Sequence, residues 1–447
     1  MELNTYQQKA FDHQKSNIET YGKKAWIWTF VFAAFILVGL FALYLQIAKG
    51  HGVTGMRDNA VWGLFIVNFI FFIGLSYAGA IIGGLLHLSK VKWGKPIIRL
   101  AQFMTLVSVI VGPIFILLCV GRFDRMHHLF IYPRIQSPLT WDVMAVVTFL
   151  TGSIFFLYLA IIKDLAVYRD AKMNIPKWKQ RLYKILALGY NGAASQKRHL
   201  IRSQNLLAII MIPLSIVVAS ILSWIFGMTL RPGWHSTIFG PYFVLGAVYS
   251  GAGVLIVAMW VYRKMYKLDY YITNKHFTYL GYIMLVLGAG YGYFTFSEYF
   301  TDWFGSEKWD SELINKLFSL HEYGWWTLFA NFAGIVVPIL IVSIPATRKP
   351  GLITLSAFVM VLAMWVKRYL IIVPTLETTL LPMQDTRIEY VKYAATWPEW
   401  ALTFAGIATF FLFFTVFSKF VTVVPITGLE DTHNTHEQHE YEIEHKH

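Results

Sequence analysis

Ten long apolar runs separated by short polar segments fill about half of the chain, at 25–48, 60–88, 97–119, 141–162, 204–226, 237–261, 277–300, 325–345, 350–373 and 397–420. Each matches the roughly 20 apolar residues that carry a helix across a bilayer. The pattern predicts an all-α polytopic membrane protein of about ten transmembrane helices. The first run follows 24 residues of mixed charge and is too long for a signal-peptide core, so it reads as a retained helix.

A weak repeat organises the runs. Trp62 and Trp234 each open one, 172 positions apart. At the same offset Gly74-Leu75-Ser76-Tyr77-Ala78-Gly79 matches Gly246-Ala247-Val248-Tyr249-Ser250-Gly251. Both copies run in the same direction, which predicts two four-helix bundles, spans two to five and six to nine, related by an axis along the membrane normal. Two flanking helices complete the chain. The expected divisions are 1–59 (N-terminus, first span and outer loop), 60–226 (first bundle), 227–373 (second bundle), 374–427 (outer loop and last span) and 428–447, a His/Glu-rich tail expected to be disordered.

Composition agrees with burial in lipid. Charged residues are 14% and hydrophobic residues 56%, with a mean hydropathy of +0.52, whereas soluble domains carry about 25% charged residues. The net charge of +13 would suggest nucleic acid in a soluble chain. Here it is a topological asymmetry: with ten spans, 26 Lys and Arg fall on the side of the termini and 10 on the other. By the positive-inside rule both termini are expected in the cytoplasm, with no nucleic-acid partner. The segment 163–203 carries ten of these charges, and Pro176 to Leu186 within it reads as a basic amphipathic helix on the inner leaflet.

Intramembrane ionisable groups are costly and usually functional. In this chain Arg122, Asp142, Glu298, Lys367, Arg368 and Glu377 all fall toward the outer ends of spans. His51, Arg57, Asp58, Asp124, His127, His128 and His235 belong to the same side. One outer polar site is expected rather than a charged path through the membrane. No His lies mid-span and Cys119 is the sole cysteine, so no haem, iron–sulfur cluster or metal is expected on this chain. Any electrons must come from a diffusible lipid-soluble carrier and pass to a partner's redox centre.

Several segments resemble the NrfD-like family of quinone-linked membrane subunits from polysulfide-reductase-type complexes. They are Thr54-Gly55-Met56-Arg57-Asp58-Asn59-Ala60-Val61-Trp62-Gly63-Leu64, Gly121-Arg122, Ser137-Pro138-Leu139-Thr140-Trp141-Asp142-Val143, Arg231-Pro232-Gly233-Trp234-His235-Ser236-Thr237-Ile238-Phe239, and the stretch from Met364 to Val373. Together they look most like the ten-span quinol-oxidising subunit of bacterial alternative complex III. The resemblance implies a menaquinone or ubiquinone site in the first bundle near the outer, periplasmic face. It also implies a ferredoxin-like iron–sulfur subunit docked outside, molybdopterin-type or multihaem cytochrome subunits beyond it, and further membrane subunits.

By the same resemblance Asp142 and Arg122 are the expected catalytic pair. Trp62, Tyr77, Cys119, His127, His128 and Arg368 join them as quinone-binding residues. Asp142 would shuttle a proton and Arg122 would stabilise charge on the reduced ring; a purely structural pair is the alternative. His127 and His128 would relay protons outward or face a partner. The chain departs from that branch at Tyr77 and Cys119, where the branch has His. It departs again at Ala219 and Ile225, in place of polar residues, and at Lys367, in place of Glu. The branch's proton path is thereby largely missing. The alternative reading is a structural membrane anchor without quinone chemistry.

Overall fold

In a computed structural model the described residues are 5–58, 60–121, 125–379 and 392–427. They are mostly α-helical, and no strand occurs among them. Helix α1 (Thr5–Glu19) is short and polar. Membrane-length helices follow: α2 (Lys23–Lys49), α3 (Gly63–Leu88), α4 (Lys95–Cys119), α6 (Pro138–Asp170), α8 (Ala194–Gly227), α9 (Phe239–Met265), α10 (Asn274–Gly305), α14 (Pro350–Glu377) and α15 (Trp397–Phe420). The remaining span, Gly324–Ser343, eighth along the chain, is assembled from α12 (Gly324–Asn331), a π-helical turn (Phe332–Val336) and α13 (Val337–Ser343). Short helices α5 (His128–Ile131), α7 (Lys177–Leu186) and α11 (Lys308–Phe318) lie between spans. The ten spans match the ten apolar runs; α6 and α8 extend beyond theirs into the polar segment 163–203.

Helix α3 is the centre of the molecule, buried on nearly every side. It packs on α4, α8, α9 and α14, while α6 closes against α4 and α8. On the other side α9, α10, α13 and α14 pack together. Small residues let α3 and α9 approach closely: a Cβ added at Gly251 would lie 2.1 Å from Ala78 Cβ, and one at Gly74 3.3 Å from Ala247 Cβ. These contacts fall within the two repeat segments. Helix α2 touches mainly α15 and exposes most of its apolar surface.

The π-helical turn has a local cause. Pro338 lacks the N–H that would bond the carbonyl of Gly334 four residues earlier. The Tyr249 hydroxyl donates to that carbonyl instead, at 2.7 Å.

The face carrying α1 and residues 421–427, termed here the near face, is closed by polar contacts. Arg99 Nη2 and Asp164 Oδ2 form a buried ion pair at 2.6 Å. Asp164 also accepts from the Ile426 amide at 3.1 Å and the Thr427 hydroxyl at 3.0 Å. The amphipathic helix expected over 176–186 is present as α7, but it docks on protein as well as presenting Trp178 and Ile185 outward. Lys179 donates to the carbonyls of Ile18 and Lys419 at 2.8 and 2.6 Å. Burial, with Lys419 adding, pushes its ammonium down to about 8. The tail 428–447 lies outside the described residues.

Candidate functional site

The opposite, far face holds the expected site residues, and the structure divides them between two clusters. In the first, Pro138 starts α6 at a position where its missing N–H costs nothing. Asp142 follows one turn later, 5% exposed, with Oδ1 unpartnered. Phe149 lies seven residues on, on the same face of α6. Its ring meets Tyr77 of α3 edge-on, with centroids 5.3 Å apart at 75°. The Tyr77 hydroxyl is buried and unpartnered, within electrostatic range of Asp142. An unpartnered buried polar atom costs about 1–3 kcal/mol, so two within electrostatic range of each other mark a region able to bind something polar. Arg122, the expected partner of Asp142, lies outside the described residues, as does Asp124.

Trp62 caps α3 just above this region. Its indole stacks on Trp234 and meets Phe226 edge-on. Cys119 at the end of α4 is half-buried, its thiol directed at the Trp62 carbonyl at 3.8 Å. His127 and His128 pack on one another in an exposed loop, and His128 also touches Tyr132. They are not drawn into the buried cluster.

A polar strap that sequence reasoning did not find closes the far end of α3. Glu399, fully buried at the start of α15, accepts from Gly55 N–H at 2.7 Å, Thr396 N–H at 2.9 Å and the Tyr393 hydroxyl at 2.5 Å; the Thr396 hydroxyl, 3.1 Å away, gives its proton to the nearer Val53 carbonyl at 2.9 Å. The Tyr393 oxygen in turn accepts from the Leu64 amide at 2.8 Å, satisfying one free donor of the α3 terminus. Gly63 allows this approach: its φ is +47°, and a Cβ there would lie 2.6 Å from the Tyr393 ring. Both ring nitrogens of His51 are buried without partners, and Nε2 faces Gly121. The signal for Glu399 was present as a Thr-x-x-Glu capping box (Thr396 to Glu399), readable only as a helix start.

The second cluster lies among α9, α10, α11 and α14. The single polar site expected from the sequence is therefore split. Arg368 is buried, its guanidinium 4.7 Å from the centre of the Phe243 ring and Nη1 unpartnered. Beside it Tyr291, also with a free hydroxyl, stacks on Tyr242 at 4.8 Å. Lys367 donates to the Tyr299 hydroxyl. Glu298 accepts from Ser236 at 2.9 Å. A cavity of about 40 Å³ between them reaches Asp302 and the apolar face of α11, room for one to three waters. At its rim His235 Nε2 lies 3.8 Å from Asp310 Oδ2. Among the described residues no three His, Cys, Asp or Glu side chains converge in a way that could hold a metal ion.

The chain is similar to known proteins. A family model described as "Polysulphide reductase, NrfD" matches residues 52–379. A putative dimethyl sulfoxide reductase membrane subunit of Halobacterium salinarum is 25% identical over 74% of this chain and 73% of its own length. The menaquinone reductase integral membrane subunit of Nitratidesulfovibrio vulgaris is 24% identical over 84% and 87%. The Hdr-like menaquinol oxidoreductase integral membrane subunit of Archaeoglobus fulgidus is 22% identical over 77% and 78%.

Proposed function

The chain belongs to the polysulphide reductase NrfD family, and on that premise we propose that it is the integral membrane subunit of a quinone/quinol oxidoreductase complex. The quinone headgroup binds in the first bundle, 60–226, at the far face. The charge asymmetry makes that face the outer one, with both termini in the cytoplasm. The carrying observation is the buried, unpartnered pair of Asp142 Oδ1 and the Tyr77 hydroxyl beside the Phe149 ring. A quinone offers a flat apolar ring with oxygens at opposite edges. Aromatic walls suit the ring, and a carboxyl and a phenol suit one oxygen.

When bound, the quinone supplies two-electron, two-proton redox chemistry that no side chain here can perform. Asp142 exchanges a proton with one ring oxygen, and Tyr77 donates a hydrogen bond that orients it. Trp62 shields the site from the outer water. Electrons pass to or from an iron–sulfur subunit docked outside, with molybdopterin-type or multihaem cytochrome subunits beyond, as in alternative complex III. The assembly sits in a bacterial inner membrane. Menaquinone is the favoured carrier, because two of the relatives are named for it.

The test is to extract the purified complex for bound quinone and to measure quinol-linked electron transfer in Asp142→Asn. Bound quinone in the wild type and loss of transfer in an assembled variant are expected. Intact transfer in Asp142→Asn would remove the assigned site. Absence of bound quinone would favour the anchor reading.

A further inference from the structure

We infer that the two flanking helices complete the site: His51 is its second proton-exchanging residue, on the outer side, and Glu399 with Tyr393 are its positioning residues. The inference rests on the proposed quinone reading of the first bundle. The family model matches 52–379, so all three residues lie outside the matched region.

The sequence separates them widely and the fold brings them together. His51 lies in the single 3-10 turn, Gly50–Val53, that ends α2. Thr396, before α15, donates its hydroxyl to the Val53 carbonyl at 2.9 Å, and Glu399 holds the Gly55 amide. The turn carrying His51 is thus pinned to the start of the last helix. Its imidazole points to the end of α4: a Cβ added at Gly121 would lie 2.9 Å from Nε2, and Gly121 has φ +67°. Two residues earlier, Cys119 touches the Trp62 carbonyl. His51 and Cys119 both feel the charge of Glu399.

Glu399 is itself held by three donors, the Gly55 and Thr396 amides and the Tyr393 hydroxyl, a set that fits a carboxylate. Burial disfavours the imidazolium form of His51, and the Glu399 carboxylate partly offsets that. Among the described neighbours, Lys49 and Asp58 are exposed, Arg57 donates to the carbonyls of Thr54 and Met56, and the end of α4 is uncharged; Arg122 and Asp124 lie outside the described residues. A half-buried imidazole whose two nitrogens are shielded and unbonded, within electrostatic range of a carboxylate, is arranged to gain and lose a proton.

The step balances. As a quinol is oxidised, one O–H bond breaks and one N–H bond forms on His51. The other hydroxyl gives its proton to Asp142. The two electrons leave for the iron–sulfur partner named above. His51 then releases its proton to the outer water. Quinone reduction runs the same transfers in reverse.

The test uses the assembled complex oxidising dimethylnaphthoquinol with an artificial electron acceptor, across a pH series. Affinity for a hydroxyquinoline N-oxide is followed in parallel by quenching of protein fluorescence. The wild-type rate should rise with pH as His51 becomes neutral. His51→Gln should keep bound quinone and inhibitor while losing about 100-fold in turnover and the rise with pH. Free imidazole should restore turnover to His51→Ala. Glu399→Gln should move the rise to lower pH, because the imidazolium loses its counter-charge. Wild-type turnover and an unchanged pH profile in His51→Gln would overturn the inference and leave the quinone reading standing. Absence of quinone and inhibitor binding in the wild type would overturn that reading itself.

Discussion

The indoles of Trp62 and Trp234 stack with centroids 6.2 Å apart and planes 14° from parallel. Phe226 meets both edge-on, at 5.6 and 5.0 Å. The Trp234 N–H donates to the Ile371 carbonyl at 2.7 Å. The far ends of α3, α8, α9 and α14 are thereby joined through one aromatic contact. A double-mutant cycle of Trp62→Ala and Trp234→Ala in thermal unfolding should return a coupling of about 1 kcal/mol. Trp62→Ala alone should also weaken quinone-analogue binding, whereas Trp62→Phe should largely preserve it.

The unpartnered Tyr77 hydroxyl separates it from its repeat counterpart, Tyr249, which is satisfied by Gly334. Tyr77→Phe should lower quinol-linked turnover about tenfold with little loss of stability, since no described hydrogen bond is broken. Tyr249→Phe should do the opposite, costing about 1 kcal/mol in unfolding measurements and leaving turnover intact. Alanine at both His127 and His128 should change turnover little, given their exposure in the outer loop.

Close packing at Gly251 is directional. Gly251→Ala should destabilise the protein by about 1–3 kcal/mol by driving α9 from α3. Adding Ala78→Gly should recover much of that loss, because the clashing methyl is removed. Additive losses in the double variant would contradict the contact.

At the near face, breaking the Arg99–Asp164 pair from one side leaves a buried charge uncompensated. Asp164→Asn or Arg99→Met should each cost about 3–5 kcal/mol and reduce the amount of folded protein. Replacing both together should cost less than the sum of the two. Fluorescence-detected melting in detergent reads both.

The His235–Asp310 contact sets a pH dependence. His235 is held above the usual histidine value, first by the hydrogen bond to the Arg231 carbonyl and then by Asp310. A group with a raised folded pKa contributes stability that is complete below its unfolded value, here about 6.5, and is lost as pH rises through the folded value. Melting temperature should therefore be higher near pH 6 than near pH 8. His235→Gln should flatten that slope, and an unchanged slope would assign it elsewhere.

The ten spans were legible because twenty consecutive apolar residues have few alternatives to a membrane helix. Asp142 and Tyr77 were reached through motif resemblance, and the fold brings them to one wall. Three things were not legible. Glu399 and His51 come within electrostatic range across 348 positions of sequence, and no local pattern encodes a proximity that helix packing alone creates. The splitting of the polar groups into two clusters follows from helix rotation, which apolar runs do not specify. The docking of α7 on protein was hidden because a Lys that donates to carbonyls looks, in sequence, like a Lys that faces lipid headgroups.

Asp164 is bonded to Ile426, which lies 262 residues further along the chain. Helix α2 likewise waits for α15 as its main packing partner. The earliest-made spans therefore reach their final environment only after the last one has left the ribosome. Near-face closure is an event of the finished polypeptide, not of stepwise insertion. A nonsense mutation ahead of Thr422 would act on α4 and α6, stripping the Arg99–Asp164 pair of its Thr422, Ile426 and Thr427 partners and leaving the nascent protein open to membrane proteases.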